Sequence, residues 1–248
     1  MDIQIGDIDK SELEPLAARA LETEKENARL KDQKALELTQ ALEINTKKYN
    51  PFIENEKIIA RTLIIDREVA SLIKENEDAT VVNLGCGFDN RFARVDNGKI
   101  FWYDVDLPEI ITARKKAFGN QVRVTMLEGS ATEHDWSVFI RKDKPAIVIA
   151  EGLSMYLPED DIKKMLEVLR TSFPTGYLVA DFIDRTGLSK DYVWGIDSAK
   201  EISDLDNAYQ LLGEFSIAAE VKKTSFRGKI FASFGKGRGS TVGVFRWN

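Results

Sequence analysis

The sequence feature that most constrains the fold is an apolar run that stops at two glycines separated by one residue. It reads V-V-N-L-G-C-G-F-D-N-R over Val81–Arg91. This pattern is typical of a buried parallel strand that turns sharply and brings backbone amides against a ligand. Asp104 and Asp106 follow roughly 20 residues later, the distance at which a second strand delivers a carboxylate to a ribose. Together the two segments predict a site for a nucleoside cofactor.

Short apolar runs alternate with helical patterns from residue 80 onward. The runs are T-V-V-N-L, K-I-F-W-Y, Q-V-R-V-T-M-L, A-I-V-I-A-E and Y-L-V-A-D-F-I. Strand and helix in alternation predict an α/β fold with a doubly wound, Rossmann-like sheet that is mostly parallel. Near the end of the chain, F-S-I-A-A-E-V and T-V-G-V-F-R-W flank a Gly-rich segment, Gly228–Gly239, and predict a closing antiparallel pair.

The N-terminal third is predicted to be helical. Apolar residues at helical spacing indicate one or two amphipathic helices over residues 12–44 and another over 55–75. Ser11 and Glu14 have the spacing of a capping box, whereas Pro15 suits the first helical position, so the start stays open by a turn. The 248 residues are expected to form a single domain, with residues 1–78 as a helical cap within it.

The net charge and the single cysteine limit which binding partners and which cellular compartment are expected. The net charge is −6 and there is no long basic run, which disfavours a nucleic-acid partner. The single cysteine, Cys86, cannot form an intrachain disulfide, which favours a reducing, cytoplasmic setting. No apolar run approaches the about 18 residues of a membrane span, and the first residues lack a signal-peptide pattern. A small-molecule partner is therefore expected, with neither membrane nor nucleic acid.

The residues after the two glycines bear on the kind of cofactor. Dinucleotide-binding enzymes place a third small residue where this chain has Asn90, and Asp89 just before it would oppose a pyrophosphate. S-adenosylmethionine carries no phosphate, and its ammonium and sulfonium suit an acidic loop. Three alternatives stay open: a tight turn without a ligand, Asp104 or Asp106 as helix caps before Pro108, and an NAD-type oxidoreductase.

A second cluster reads I-A-E-G-L-S-M-Y-L-P over residues 149–158. It places Glu151 at the carboxyl end of the fourth parallel strand, where open α/β sheets bind ligands. Its carboxylate could approach the ammonium of a cofactor, or it could cap the next helix, although Pro158 moves that helix start later. Tyr156 is equally compatible with the site and with packing.

These motifs resemble those of the leucine carboxyl methyltransferase superfamily, and more closely its bacterial branch similar to the tetracenomycin polyketide-synthesis O-methyltransferase. The combination of L-G-C-G with D-V-D-L-P and E-G-L-S-M-Y-L is specific, and L-A-A-R-A-L-E-T and V-W-G-I-D-S extend it over nearly the whole chain. The resemblance implies a class I methyltransferase fold. It also implies S-adenosylmethionine-dependent O-methylation of a small molecule, such as a polyketide-like metabolite.

The resemblance also assigns roles to individual residues. It implies cofactor binding by Arg61, Gly85, Gly87, Asp104, Asp106, Ser130, Ala131 and Glu151. The glycines would line the cofactor, the acidic pair would hold the ribose hydroxyls, the serine and alanine would contact adenine, and the glutamate would lie near the amino acid moiety. Arg61 and Arg19 match arginines that reach the cofactor carboxylate or the substrate. No metal site is expected.

The expected mechanism depends on positioning, because the sulfonium methyl is already activated. A carboxylate acceptor needs no base, whereas an alcohol or phenol does. His134, the only histidine, lies in a polar connection and is expected to be exposed. This scarcity favours a carboxylate acceptor oriented by an arginine. The candidate catalytic residues are Arg19 and Tyr156, the latter as a group that could activate a phenol or enol acceptor. A phenol or enol acceptor and a non-catalytic cofactor-binding protein stay open, and Tyr192 and Trp194 could form an acceptor lid or core.

Overall fold

Seven strands form one sheet in the computed structural model, which describes residues 10–49, 52–224 and 239–248. The strands are β1 (Thr80–Leu84), β2 (Phe101–Asp106), β3 (Val124–Glu128), β4 (Ala146–Ala150), β5 (Gly176–Phe182), β6 (Gln210–Ser216) and β7 (Thr241–Trp247). Their order in the sheet is β3-β2-β1-β4-β5-β7-β6. The first five are parallel, and β7 pairs antiparallel with β5 and β6. The strand order reverses between β1 and β4, and open α/β sheets bind ligands at such a point.

Helices cover both faces of this sheet. They are α1 (Lys10–Thr23), α2 (Gln33–Ala41), α3 (Phe52–Glu75), α4 (Phe92–Val95), α5 (Pro108–Phe118), α6 (Glu159–Ser172), α7 (Lys200–Leu205) and α8 (Ile217–Thr224). Successive strand residues point to opposite faces, so Val82 joins the core cluster under α6 while Val81 joins the cluster under α3 and α8. All five residues of β1 and of β4 are buried, as expected for central strands covered on both sides.

The structure confirms the predicted fold class and most of the predicted elements. The apolar runs become β1 to β5 with shifts of a few residues at their ends, and residues 12–44 contain two helices, α1 and α2. Helix α3 contains the predicted helix over 55–75. Within the described ranges, no helix has the length and apolar content that crossing a bilayer requires. The domain division, with residues 1–78 as a cap, stays a prediction.

One predicted strand is wrong in the C-terminal part. Of F-S-I-A-A-E-V, only the first two residues belong to β6, and the rest form α8. The pairing explains the change, because Ser216 lies opposite Thr241, the first residue of β7, and further residues would have no strand to bond. Ile217 and Val221, one helical turn apart, are instead buried against the α3 side. The Gly228–Gly239 segment lies outside the described residues except for Gly239.

Helix α1 also departs from the prediction at its start. The helix already includes Lys10, so Pro15 lies inside it rather than at its first position. Proline lacks the N–H that would bond the carbonyl of Ser11, which weakens the first turn. Hydrophobic packing nevertheless anchors α1, because Leu13 and Leu16 are buried in a cluster with Phe88 of the glycine turn. Helix α1 therefore covers the carboxyl end of β1.

Candidate active site at the carboxyl ends of the parallel strands

Two adjoining cavities open where the strand order reverses. The first cavity, about 160 Å³, lies over the ends of β1, β2 and β4 and is covered by α1. The second cavity, about 320 Å³, lies between α3, the end of β5 and the segment after β4. Pro15, Arg61, Gly152 and Tyr156 line both cavities, so these four residues form their junction.

The glycine turn after β1 forms the floor of the first cavity. Gly85 and Gly87 have φ values of +66° and +44°, a region that glycine adopts without strain. A Cβ at Gly85 would come within 3.2 Å of Leu153, and one at Gly87 within 2.5 Å of a Glu12 carboxylate oxygen. Both glycines are therefore needed here, and both line the cavity, while their predicted contact with the cofactor stays a prediction.

Asp106 lies at the cavity wall, held by the backbone on both sides. Its Oδ2 accepts a hydrogen bond from the Gly87 N–H at 2.8 Å, and its Oδ1 accepts one from the Leu107 N–H at 2.8 Å. Burial raises the pKa of Asp106, while these two donors oppose the shift. Each carboxylate oxygen can accept a second hydrogen bond, so Asp106 is fixed in place and still able to bind hydroxyl groups.

Asp104 does not join Asp106 at the cavity, which corrects the sequence-based expectation. It is fully buried, and its carboxylate accepts bonds from Trp102 Nε1 at 2.8 Å and from Arg114 Nη2 at 2.7 Å. Arg114 also donates to the carbonyl of Gly87 at 2.7 Å. Asp106 ends its strand at the crevice, whereas Asp104 lies two residues earlier, inside the sheet. Asp104 therefore supports the glycine turn through Arg114 from below.

Glu151 and Arg61 meet at the junction of the cavities. Arg61, from α3, donates from Nε to Glu151 at 2.9 Å and from Nη1 to Asp181 at 3.0 Å. Burial alone would raise the pKa of Glu151, but the guanidiniums of Arg91 and Arg61 outweigh it and hold that pKa at about 2. Glu151 is therefore ionised at neutral pH. It lines the first cavity with two arginines already against it, and its predicted place near the amino acid moiety of the cofactor stays a prediction.

Arg91 is the centre of the ion-pair network beneath the first cavity. It is 0% exposed, and its three nitrogens donate to three carboxylates: to Asp66 at 2.6 Å, to Asp89 at 2.7 Å, and to Glu151. Arg94 adds further bonds to Asp66 and Asp89. Burial opposes ionisation of Asp89, but Arg91 and Arg94 keep its pKa well below the usual range. The acid that the sequence placed in the loop is thus ionised and compensated by arginines.

Arg19 fastens α1 onto the glycine turn. It is 3% exposed, donating from Nε to Asp32 at 2.9 Å and from Nη2 to the Phe88 carbonyl at 3.0 Å. It lines the first cavity but is not part of the second. Its predicted contact with the cofactor carboxylate or the substrate stays a prediction, and the structure adds an anchoring role.

The second cavity has an apolar and aromatic wall. Ile58, Met155 and Ile183 line it beside Tyr156 and Tyr192, whose rings meet edge to face at 5.5 Å. Burial raises the pKa of Tyr156, and Tyr192 adds to the shift, so the Tyr156 phenol is protonated at neutral pH. Its hydroxyl is already hydrogen-bonded with Tyr192, so donation to a ligand at the junction would replace that bond. Tyr156 is poorly suited to act as a base.

Other predicted residues lie outside the two cavities. Ser130 and Ala131 follow β3, where Ser130 Oγ lies 2.9 Å from Thr132 Oγ1, and neither residue lines a cavity. Their adenine contact stays a prediction. His134 is exposed, with Nδ1 3.3 Å from Ser172 Oγ, in agreement with its expected role outside the chemistry. Trp194 packs against Phe182 in the core rather than forming a lid.

Sequence reasoning missed several residues of the site. Asp181 interrupts the fifth apolar run near its carboxyl end and could have been recognised by that position. Glu12 had no such signal, since only the folding of α1 over the turn brings it to the cavity. Arg91 ends the V-V-N-L-G-C-G-F-D-N-R segment, but its role could not be seen there because its partners lie up to 60 residues away in the sequence.

The charges around the first cavity favour a cationic ligand, even though Arg91 and Arg94 beneath it compensate Asp89 and Glu151 in part. Its lining contains four carboxylates, those of Glu12, Asp89, Asp106 and Glu151, and two guanidiniums, those of Arg19 and Arg61. A pyrophosphate would meet an excess of negative charge, whereas a nucleoside with a net positive charge would be attracted. The site therefore fits a phosphate-free cofactor that carries a ribose and a cationic centre.

Comparison with known sequences gives consistent matches. A family model described as leucine carboxyl methyltransferase matches residues 13–170. The tetracenomycin polyketide synthesis O-methyltransferase of Streptomyces glaucescens is 30% identical over 183 residues, covering 73% of this chain and 68% of that protein. An S-adenosyl-L-methionine-dependent methyltransferase of Gibberella zeae is 26% identical over 128 residues, which cover 47% of this chain and 42% of that protein.

Solved structures share the fold. A DUF574 family protein from Streptomyces avermitilis has a TM-score of 0.58 at 12% identity, with 94% of this chain and 97% of that one covered. The magnesium protoporphyrin IX methyltransferase of Synechocystis, solved with bound S-adenosylhomocysteine, has a TM-score of 0.54 at 12% identity, with 80% and 89% covered. At such identities the likeness concerns the architecture alone, and it matches the class I methyltransferase sheet.

Proposed function

The chain belongs to the leucine carboxyl methyltransferase family and is an S-adenosylmethionine-dependent O-methyltransferase, and we propose that it methylates the carboxylate of a small molecule held in the second cavity. The observation that carries the proposal is the pair of donors at the junction, Arg61 and Tyr156. An ionised carboxylate only accepts hydrogen bonds, so it complements two donors better than a hydroxyl does.

The residues of the first cavity suit S-adenosylmethionine, which supplies an activated methyl group on a sulfonium. Asp106 would hold the ribose hydroxyls, and the turn at Gly85 and Gly87 lets the ligand approach the backbone closely. Glu151 and Arg61 would hold the ammonium and the carboxylate of the amino acid moiety. The excess of carboxylates around the cavity supports this placement, and it speaks against the pyrophosphate of an NAD-type oxidoreductase.

Arg61 can serve the acceptor as well as the cofactor. Among the described residues, its bonds to Glu151 and Asp181 use two of its five N–H groups. The other three can donate to a carboxylate in either cavity. Because Glu151 and Asp181 already fix its side chain, Arg61 would orient the acceptor oxygen without the entropy cost of ordering itself. The acceptor oxygen is already ionised, so no proton needs to be removed.

A methyl-transfer assay against two matched panels tests the acceptor class. The purified protein is incubated with labelled S-adenosylmethionine and with aromatic and polyketide-like carboxylic acids or the corresponding phenols. We expect products with the mass of one added methylene unit that mild base hydrolyses, as it does methyl esters. Methylation of phenols or enols alone would contradict the carboxylate proposal and favour the alternative acceptor.

Tyr156→Phe tests whether a base is used. We expect kcat/KM to fall by about 10- to 150-fold, because a hydrogen bond to a charged acceptor contributes about 1.5–3 kcal/mol. Phenylalanine keeps the ring contact with Tyr192, so packing is retained. The pH profile of kcat/KM should stay flat between about pH 6 and 9, since the acceptor is ionised throughout. A loss toward 10⁴-fold, within the 10²–10⁴-fold that a general base usually contributes, together with a pH profile that rises as one group loses its proton, would assign Tyr156 that role instead.

A further inference from the structure

Helix α1 also places a carboxylate, that of Glu12, at the first cavity. Its Oε2 would lie 2.5 Å from a Cβ at Gly87, so the carboxylate rests on the bare face of this glycine. Glu12 lines the first cavity and is half-buried. Burial raises the pKa of the Cys86 thiol between the glycines, and the carboxylates of Asp104, Asp106 and Glu12 add to that shift. Glu12 thus acts electrostatically on the turn itself.

The position of Glu12 is set by the packing of α1 rather than by a mobile surface chain. The next residue, Leu13, is 5% exposed, and Leu16 is fully buried in the cluster that contains Phe88. Two turns further on, Arg19 bonds the Phe88 carbonyl and Asp32. These anchors all lie on the C-terminal side of Glu12, and they hold the helix against the glycine turn with the carboxylate beside the cavity.

The order of the strands indicates which part of the cofactor faces Glu12. Asp106 ends β2, the glycine turn follows β1, and Glu151 follows β4, and these strands are neighbours in the order β2-β1-β4. In S-adenosylmethionine the sulfonium lies between the ribose and the amino acid moiety. If the ribose is held at Asp106 and the amino acid moiety at Glu151, as in the proposed function, the sulfonium lies beside the glycine turn and faces Glu12.

We propose that Glu12 is a specificity-determining residue that lets the site distinguish the methyl donor from its demethylated product by charge. S-adenosylmethionine carries a net positive charge because of the sulfonium. In the transfer, an acceptor oxygen forms a bond to the methyl carbon, and the electrons of the carbon–sulfur bond stay on sulfur. The sulfonium becomes a neutral thioether and the carboxylate a neutral ester. The attraction to Glu12 is lost at that moment, which favours release of S-adenosylhomocysteine.

Titration calorimetry of Glu12→Gln with both ligands tests this role. We expect the Kd for S-adenosylmethionine to rise about five- to fiftyfold, since a close opposite charge is removed in a partly buried site. The Kd for S-adenosylhomocysteine should change less than about twofold, because glutamine keeps the shape and a neutral sulfur gains little from the charge. The ratio of the two Kd values is the readout, and a purely structural role would leave it unchanged.

Two further variants serve as controls. Glu14→Gln makes the same chemical change two residues away, on a side chain that lines only the second cavity, and it should leave the ratio as in the unaltered protein. Asp106→Asn should weaken both ligands alike, because both contain the ribose. Should Glu12→Gln fail to fold, the unaltered protein still gives a test. It should bind sinefungin, whose protonated amine replaces the methylsulfonium, more tightly than S-adenosylhomocysteine.

The outcomes separate this inference from the proposed function. Equal weakening of both ligands by Glu12→Gln, or no change in either, would overturn the role of Glu12 while leaving the cofactor site intact. A preference of the unaltered protein for S-adenosylhomocysteine over sinefungin would also overturn it. Failure of the unaltered protein to bind either S-adenosylmethionine or its product would overturn the proposed cofactor site itself.

Discussion

Arg91→Met is expected to lower the free energy of unfolding by about 3–5 kcal/mol, the usual cost of breaking a buried ion pair from one side. Arg91 is fully buried and compensates Asp66, Asp89 and Glu151 at once. Methionine fills a similar volume without a charge, so three largely buried carboxylates would lose their shared cation and keep only Arg94 and Arg61 as partners. Urea denaturation followed by circular dichroism measures the difference.

Arg170→Met is the matched control for this prediction. Arg170 forms a 2.8 Å ion pair with Asp206, but its side chain is 39% exposed. Exposed pairs are screened by water and contribute about 0–1 kcal/mol. The Arg170 variant should therefore unfold at nearly the urea concentration of the unaltered protein. If the Arg91 variant lost no more stability than this control, the network would not depend on its central guanidinium.

Asp106→Ala is expected to weaken S-adenosylmethionine binding by about 1–3 kcal/mol, or about 5- to 150-fold in Kd. Asp106 is the acid that reaches the first cavity at the end of β2, where it is fixed by the amides of Gly87 and Leu107. Its removal takes away hydrogen bonds to the ribose that involve a charged acceptor. Calorimetric titration of the folded variant gives the change.

Asp104→Asn tests whether Asp104 supports the fold while Asp106 binds the cofactor. Asp104 lies under Arg114, away from the cavity, so its loss of charge should lower the melting temperature. The cofactor affinity of the folded variant should change less than in Asp106→Ala. If the Asp104 variant folds normally and loses cofactor affinity as strongly as Asp106→Ala, Asp104 also takes part in binding the ribose.

Much of the fold could be predicted because local and global preferences agree. The run A-I-V-I-A is apolar at every position and T-V-V-N-L at three of five, and both occupy the centre of the sheet with both faces covered. The positions of Gly85, Gly87, Asp106 and Glu151 followed from the rule that strand ends meet at one edge of a parallel sheet. That rule needs only the order of elements along the chain.

The rest depends on contacts that no local pattern encodes. Asp104 and Asp106 look alike in sequence, and only the end of β2 decides which of them reaches the crevice. Arg61 finds Glu151 and Asp181 at separations of 90 and 120 residues. The segment after Ser216 is compatible with strand or helix, and the length of β7 determines the outcome.

The two cavities divide the chain in a way that bears on its ancestry. Every residue that lines the first cavity lies between Glu12 and Tyr156, almost wholly within the part that matches the family, residues 13–170. The second cavity takes much of its wall from later positions, out to Ser240. If the first cavity binds the methyl donor, as proposed, donor recognition lies in the part of the chain that the family shares. Descendants could exchange the far wall and acquire a new acceptor while the machinery that handles the methyl donor stayed as it was.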